Sequence, residues 1–104
     1  MTQLQVATAK LREFGAIVDG KCCECGQAVD YCKEMMRTCR GRQARATLDT
    51  MQKLPKLRND LNLQKIIGEY IWDELKLYRH GWELESIEST SEGVLRLFSK
   101  YLGE

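Results

Sequence analysis

The chain has one proline, one histidine and no long apolar run. Each scarcity excludes something. A single proline, Pro55, argues for helices and against a turn-rich all-β sandwich. With His80 alone and no second histidine, carboxylate or nucleophile placed beside it, general acid–base or nucleophilic catalysis has no support. The apolar runs are as short as "AIV" and "II", far below the span of a bilayer, so no membrane partner is expected. The start "MTQLQVATAK" lacks a charged stretch followed by an apolar one, so no signal peptide is expected. Phosphate-cradling, dinucleotide, zinc-protease and nucleophile-elbow motifs are all missing, and an enzyme is not expected.

What is present is a soluble composition of 104 residues, 43 % hydrophobic and 30 % charged, enough for a single domain with one core. The net charge of +1 conceals a gradient. Between Lys21 and Asp60, nine Lys/Arg stand against five Asp/Glu; between Leu61 and Glu104, five stand against eight. Arg37, Arg40, Arg42, Arg45, Lys53, Lys56 and Arg58 form a basic segment that would suit phosphate contacts, since guanidinium pairs with phosphate oxygens at any physiological pH. No aromatic residue lies between 32 and 69 to accompany them. A solvated basic face would read the same way.

Periodicity favours helices throughout. Leu4, Ala7, Leu11, Phe14 and Val18 fall at steps of three and four, predicting a helix over 2–18 with Thr2 as N-cap and "DGK" as its stop. Residues 22–53 read as helical, with a break at Gly41 and a further segment over 43–54. Leu63, Ile66, Ile67, Tyr70, Ile71 and Leu75 predict a helix over 62–78. The tail offers a capping box, Ser89 and Glu92, ahead of Val94, Leu97, Phe98 and Tyr101. A β-hairpin at about 82–99 competes there, because "WELESIE" alternates. The expected fold is therefore mainly α, a single four- to five-helix bundle, with α+β as the alternative.

All five cysteines lie between Gly20 and Cys39. Their odd number and the expected cytoplasmic setting weigh against a disulfide framework. Three readings stay open. Leu4, Leu11, Val18, Cys25, Cys32 and Cys39 make a seven-residue ladder, in which cysteine would serve as a small core residue. Cys22-x-x-Cys25-Gly26 also resembles one knuckle of a zinc site, although no second paired knuckle follows. Were Cys32 and Cys39 on one helix, they would stand roughly 10 Å apart along its axis, too far to share an ion. The ligand set would then be Cys22, Cys25, Cys39 and His80. On the core reading no cofactor is expected; zinc would enter through the knuckle. Third, a C-x-x-C at a helix N-terminus would suit thiol–disulfide chemistry, but no preceding strand supplies a thioredoxin-like context.

Without catalytic machinery, the function expected is that of a small intracellular regulatory module that binds a larger protein, alone or as a homodimer. Trp72, Tyr78 and Trp82, clustered at a helix and its exit, are the candidate anchors. Nucleic-acid binding through residues 37–58, with or without zinc, is the alternative.

Overall fold

The computed structural model describes residues 2–36, 39–79 and 90–102. These residues form five α-helices and one two-stranded antiparallel ribbon, in the order α1 (Gln3–Phe14), β1 (Ile17–Val18), β2 (Lys21–Cys22), α2 (Val29–Met35), α3 (Arg40–Gln52), a 3-10 turn (Pro55–Arg58), α4 (Leu61–Arg79) and α5 (Thr90–Tyr101). The protein is mainly α, and no described helix is long and apolar enough to cross a membrane.

Local chemistry explains most boundaries. Thr2 caps α1 reciprocally: the Gln5 N–H donates to Thr2 Oγ1 at 3.2 Å, and the Thr2 N–H donates to Gln5 Oε1 at 2.9 Å. Pro55 opens the 3-10 turn, where its missing N–H leaves no helical bond unmade. The Leu63 N–H donates to Asp60 Oδ1 at 3.1 Å at the start of α4, and Tyr101 from α5 donates to the other oxygen of the same carboxylate at 2.8 Å.

The main core joins Ala7 and Leu11 of α1, Ala44 of α3, Leu54, Leu57 of the 3-10 turn, Leu63, Ile67, Ile71 and Leu75 of α4, and Val94 of α5. Leu11, Leu63, Ile67, Ile71 and Val94 are wholly buried; each such side chain stabilises the fold by roughly 1.5–3 kcal/mol. α4 packs on both α1 and α5, and α3 packs on the same two helices, so the four close a ring around the core. Gly68 lets α1 approach α4 closely, because a Cβ there would lie 2.8 Å from the Leu4 nitrogen.

Three expectations need correction. The first helix stops at Gly15, short of 18. The "DGK" element is a hairpin turn: Asp19 and Gly20 take φ of 53° and 75°, and Val18 pairs with Lys21 across them. Two consecutive positive φ values make the type I′ geometry whose twist matches that of the flanking strands. Val18 is consequently exposed, and the seven-residue ladder ends with α1. Gly41 lies inside α3, while the helical run breaks earlier, at Met36, whose ψ of 68° leaves the helix. The helix expected in the tail is present over 90–101, in place of the second arm of the hairpin alternative; the first arm of that alternative, 82–88, and Ser89 of the capping box lie outside the described residues.

Candidate metal centre

The hairpin carries the first two thiols. Cys22 closes β2, and the chain then doubles back: the Gly26 N–H donates to the Cys22 carbonyl at 2.8 Å, and the Cys22 N–H donates to the Gln27 carbonyl at 2.9 Å. Gly26 has a φ of 74°, a conformation that costs glycine little and other residues more. Cys25 stands in this knuckle, half-buried. The C-x-x-C is thus a hairpin turn and not a helix N-terminus, which removes the dipole that the thiol–disulfide reading required.

The other two thiols come from two different helices. Cys32 is the only buried residue of α2, a helix of 7 residues. Cys39 is the N-cap of α3, with extended backbone at φ −66° and ψ 127°. Because the chain leaves the helix at Met36, the axial separation expected of one continuous helix does not arise. The Sγ atoms of Cys22, Cys25, Cys32 and Cys39 all lie within 4.8 Å of one another. Cys22 and Cys39 are 3.6 Å apart, well beyond a disulfide bond of about 2.05 Å. Four thiolates about 2.3 Å from a central ion would stand about 3.8 Å apart, so this cluster matches a tetrahedral sulfur site after small side-chain adjustments. Cys23 is exposed and outside the cluster, its thiol turned to the Glu13 and Phe14 carbonyls at 3.7 Å.

The cysteines form a second core, separate from the helical one, with Met36 at its edge. They are buried against each other, not threaded into a leucine stripe. Gly41 makes the approach of α3 feasible: a Cβ there would lie 2.6 Å from Cys22 Sγ and 3.0 Å from the Phe14 carbonyl.

Three arginines of the basic segment fasten α3 to this unit. Arg45 donates from Nη1 to the Gly15 carbonyl at 3.3 Å and to Cys22 Sγ at 3.4 Å, and from Nη2 to Cys32 Sγ at 3.1 Å. Arg42 Nε donates to the Lys33 carbonyl at 2.7 Å. Arg40 stands 4.0 Å from Glu24. Elsewhere on the segment, Lys53 pairs with Asp49 at 3.0 Å on an exposed helix face, and Lys56 and Arg58 sit exposed on the 3-10 turn. Arg37 and His80 lie outside the described residues. So do Trp82 and the side chain of Tyr78; Trp72 is partly exposed on α4.

The electrostatics divide the thiols. Burial pushes Cys22 upward, but the backbone amide of Cys25, the Arg45 guanidinium, the amide of Glu24 and the Cys39 thiol outweigh it and bring Cys22 down to about 6. Cys32 is pushed up to about 12, first by burial and then by its cysteine neighbours. Cys39 is also raised, chiefly by burial, with the amides of Arg42 and Gly41 opposing. Without a metal, the neutral-pH array holds a thiolate at Cys22 beside protonated Cys32 and Cys39. A divalent cation supplies the charge that would let the others ionise.

Cys32 was missing from the ligand set read off the sequence, because it was excluded by a helix that the chain does not form. The Asp-Gly dipeptide between "AIV" and "KCCEC" was the signal for a hairpin there. Nothing in the sequence marked Arg45 apart from its basic neighbours. No known protein family, curated protein or solved structure matches the chain.

Proposed function

We propose that this chain is a metal-dependent interaction domain, in which a structural zinc ion held by Cys22, Cys25, Cys32 and Cys39 fastens the hairpin and α2 onto a helical scaffold. The convergence of four thiols from three separate segments carries the reading. All-sulfur tetrahedral sets suit zinc or iron, and four protein ligands leave no open position for catalysis. The domain would then act by contact, as a small regulatory module that binds a larger protein. Trp72, partly exposed on α4, is the candidate anchor among the described residues. Nucleic-acid binding is supported less well, since Arg40, Arg42 and Arg45 are all turned to intramolecular contacts.

Native mass spectrometry of the chain, purified without chelators, tests the proposal. One zinc per chain is expected, lost from Cys32→Ser and kept by Cys23→Ser. A metal-free mass after incubation with equimolar zinc would overturn it.

A further inference from the structure

Arg45 stands in an unusual place for a surface-helix arginine. Among the described residues, it is the one cationic side chain that donates to two sulfurs of the cysteine cluster, and those sulfurs belong to different elements, β2 and α2. Its third bond, to the Gly15 carbonyl at the end of α1, fixes the plane of the fork. A zinc ion with four thiolates carries a formal charge of 2−, which is costly in a cluster whose members Cys22 and Cys32 are wholly buried. Guanidinium keeps its proton at any physiological pH and presents two parallel donors. Charge-assisted N–H···S bonds also draw electron density from the sulfurs that accept them.

Building on the proposed zinc site, we infer that Arg45 is its outer-shell positioning residue. It aligns Cys22 and Cys32 for the ion, halves the formal charge of the centre and keeps those two metal-bound thiolates unreactive. A latch that only tied α3 to the hairpin would do the first of these and not the last.

The test compares zinc-loaded wild type, Arg45→Gln, Arg45→Lys and, as control, Lys53→Gln, whose cation pairs with Asp49 on an exposed helix face. Zinc affinity is read by competition with a chromophoric chelator. Sulfur reactivity is read with iodoacetamide, in which a thiolate lone pair forms a C–S bond, iodide leaves, and that sulfur's bond to zinc is lost. Arg45→Gln is expected to weaken zinc binding by about 10- to 100-fold, the usual range for outer-shell partners. It should also accelerate alkylation several-fold, with the new label mapping to Cys22 or Cys32. Arg45→Lys, which keeps the charge but has a single nitrogen, should fall between, and Lys53→Gln should match wild type. Should Arg45→Gln fail to fold with zinc, Arg45→Lys decides alone. Affinity and alkylation equal to wild type in the folded Arg45 variants would overturn the inference and leave the zinc site standing. A wild type that takes up no zinc overturns the site itself.

Discussion

The sulfurs of Cys32 and Cys39, seven residues apart in the chain, meet within 4.8 Å because the helix carrying the first ends at Met36 before the helix capped by the second begins. Two separate helices achieve what one continuous helix forbids. The site therefore depends on a break in the chain as much as on the cysteines themselves, and its thiols are spread over a hairpin, a helix of about two turns and a helix N-terminus.

This spread predicts unequal roles for the five cysteines. Serine at Cys22, Cys25, Cys32 or Cys39 should each reduce zinc uptake by more than tenfold, measured by chelator competition. Cys23→Ser should bind zinc as wild type does, because Cys23 is exposed and faces the end of α1. Equal losses at Cys23 and Cys32 would contradict the assignment.

Chelation should lower the local stability of one part of the molecule, while its folded metal-free form persists, and spare another. Around the hairpin and α2, the buried apolar residues are cysteines: Ile17, Val18, Tyr31 and Met35 are all exposed. The leucine and isoleucine core of α1, α3, α4 and α5 is separate. Hydrogen exchange after metal removal should show reduced protection over 16–36, with protection kept around Leu63–Ile71. Uniform loss along the chain would show that the two cores are one cooperative unit.

Gly41→Ala tests the close approach of α3 to the hairpin. On an exposed helix such a change stabilises, since alanine favours helix over glycine by about 1 kcal/mol. Here the new methyl would meet Cys22 Sγ at 2.6 Å. The expected outcome is the opposite sign, a loss of about 1–3 kcal/mol as for other overpacked sites, together with weaker zinc binding. Denaturant unfolding of the zinc-bound protein measures the first, and chelator competition the second.

Zinc binding should weaken as pH falls, and the sign follows from the thiol shifts. Zinc takes thiolates. In the metal-free protein Cys32, pushed up to about 12, and the raised Cys39 hold their protons at neutral pH, and zinc must displace both. Each displaced proton makes affinity change about tenfold per pH unit, so these two give a slope of about two decades. Cys22, lowered to about 6, is already ionised at pH 7 and adds its own proton only below pH 6, where the slope should steepen. Calorimetric titrations in buffers of different ionisation enthalpy would count the protons released. A pH-independent affinity between 6 and 8 would refute the ligand protonation described here.

How much of this was legible beforehand depends on the length of the pattern. The stripe Leu63, Ile67, Ile71, Leu75 predicted α4, and Leu4, Ala7, Leu11 predicted α1, because a helical face repeats often enough to be unmistakable and the buried side chains lie where the period puts them. Thr2 capped its helix as its side-chain chemistry suggested. Between 16 and 39 the elements run from 2 to 7 residues, too short for a period to declare itself. There the same threes and fours that mark a helix also fit cysteines on a hairpin and two helices.

The amino-acid sequence by itself thus determined a helical chain with a thiol-rich insert, since side-chain period and residue chemistry are local properties. Only the tertiary structure decided that four of those thiols face one another, that Cys32 belongs with them and that Arg45 turns inward to two of their sulfurs. Those relations depend on where the backbone bends, at Asp19–Gly20, Gly26 and Met36. Asp19–Gly20 and Gly26 permit the first two bends locally, but which thiols the bends bring together is settled by the packing of distant segments, α1 against α3 among them.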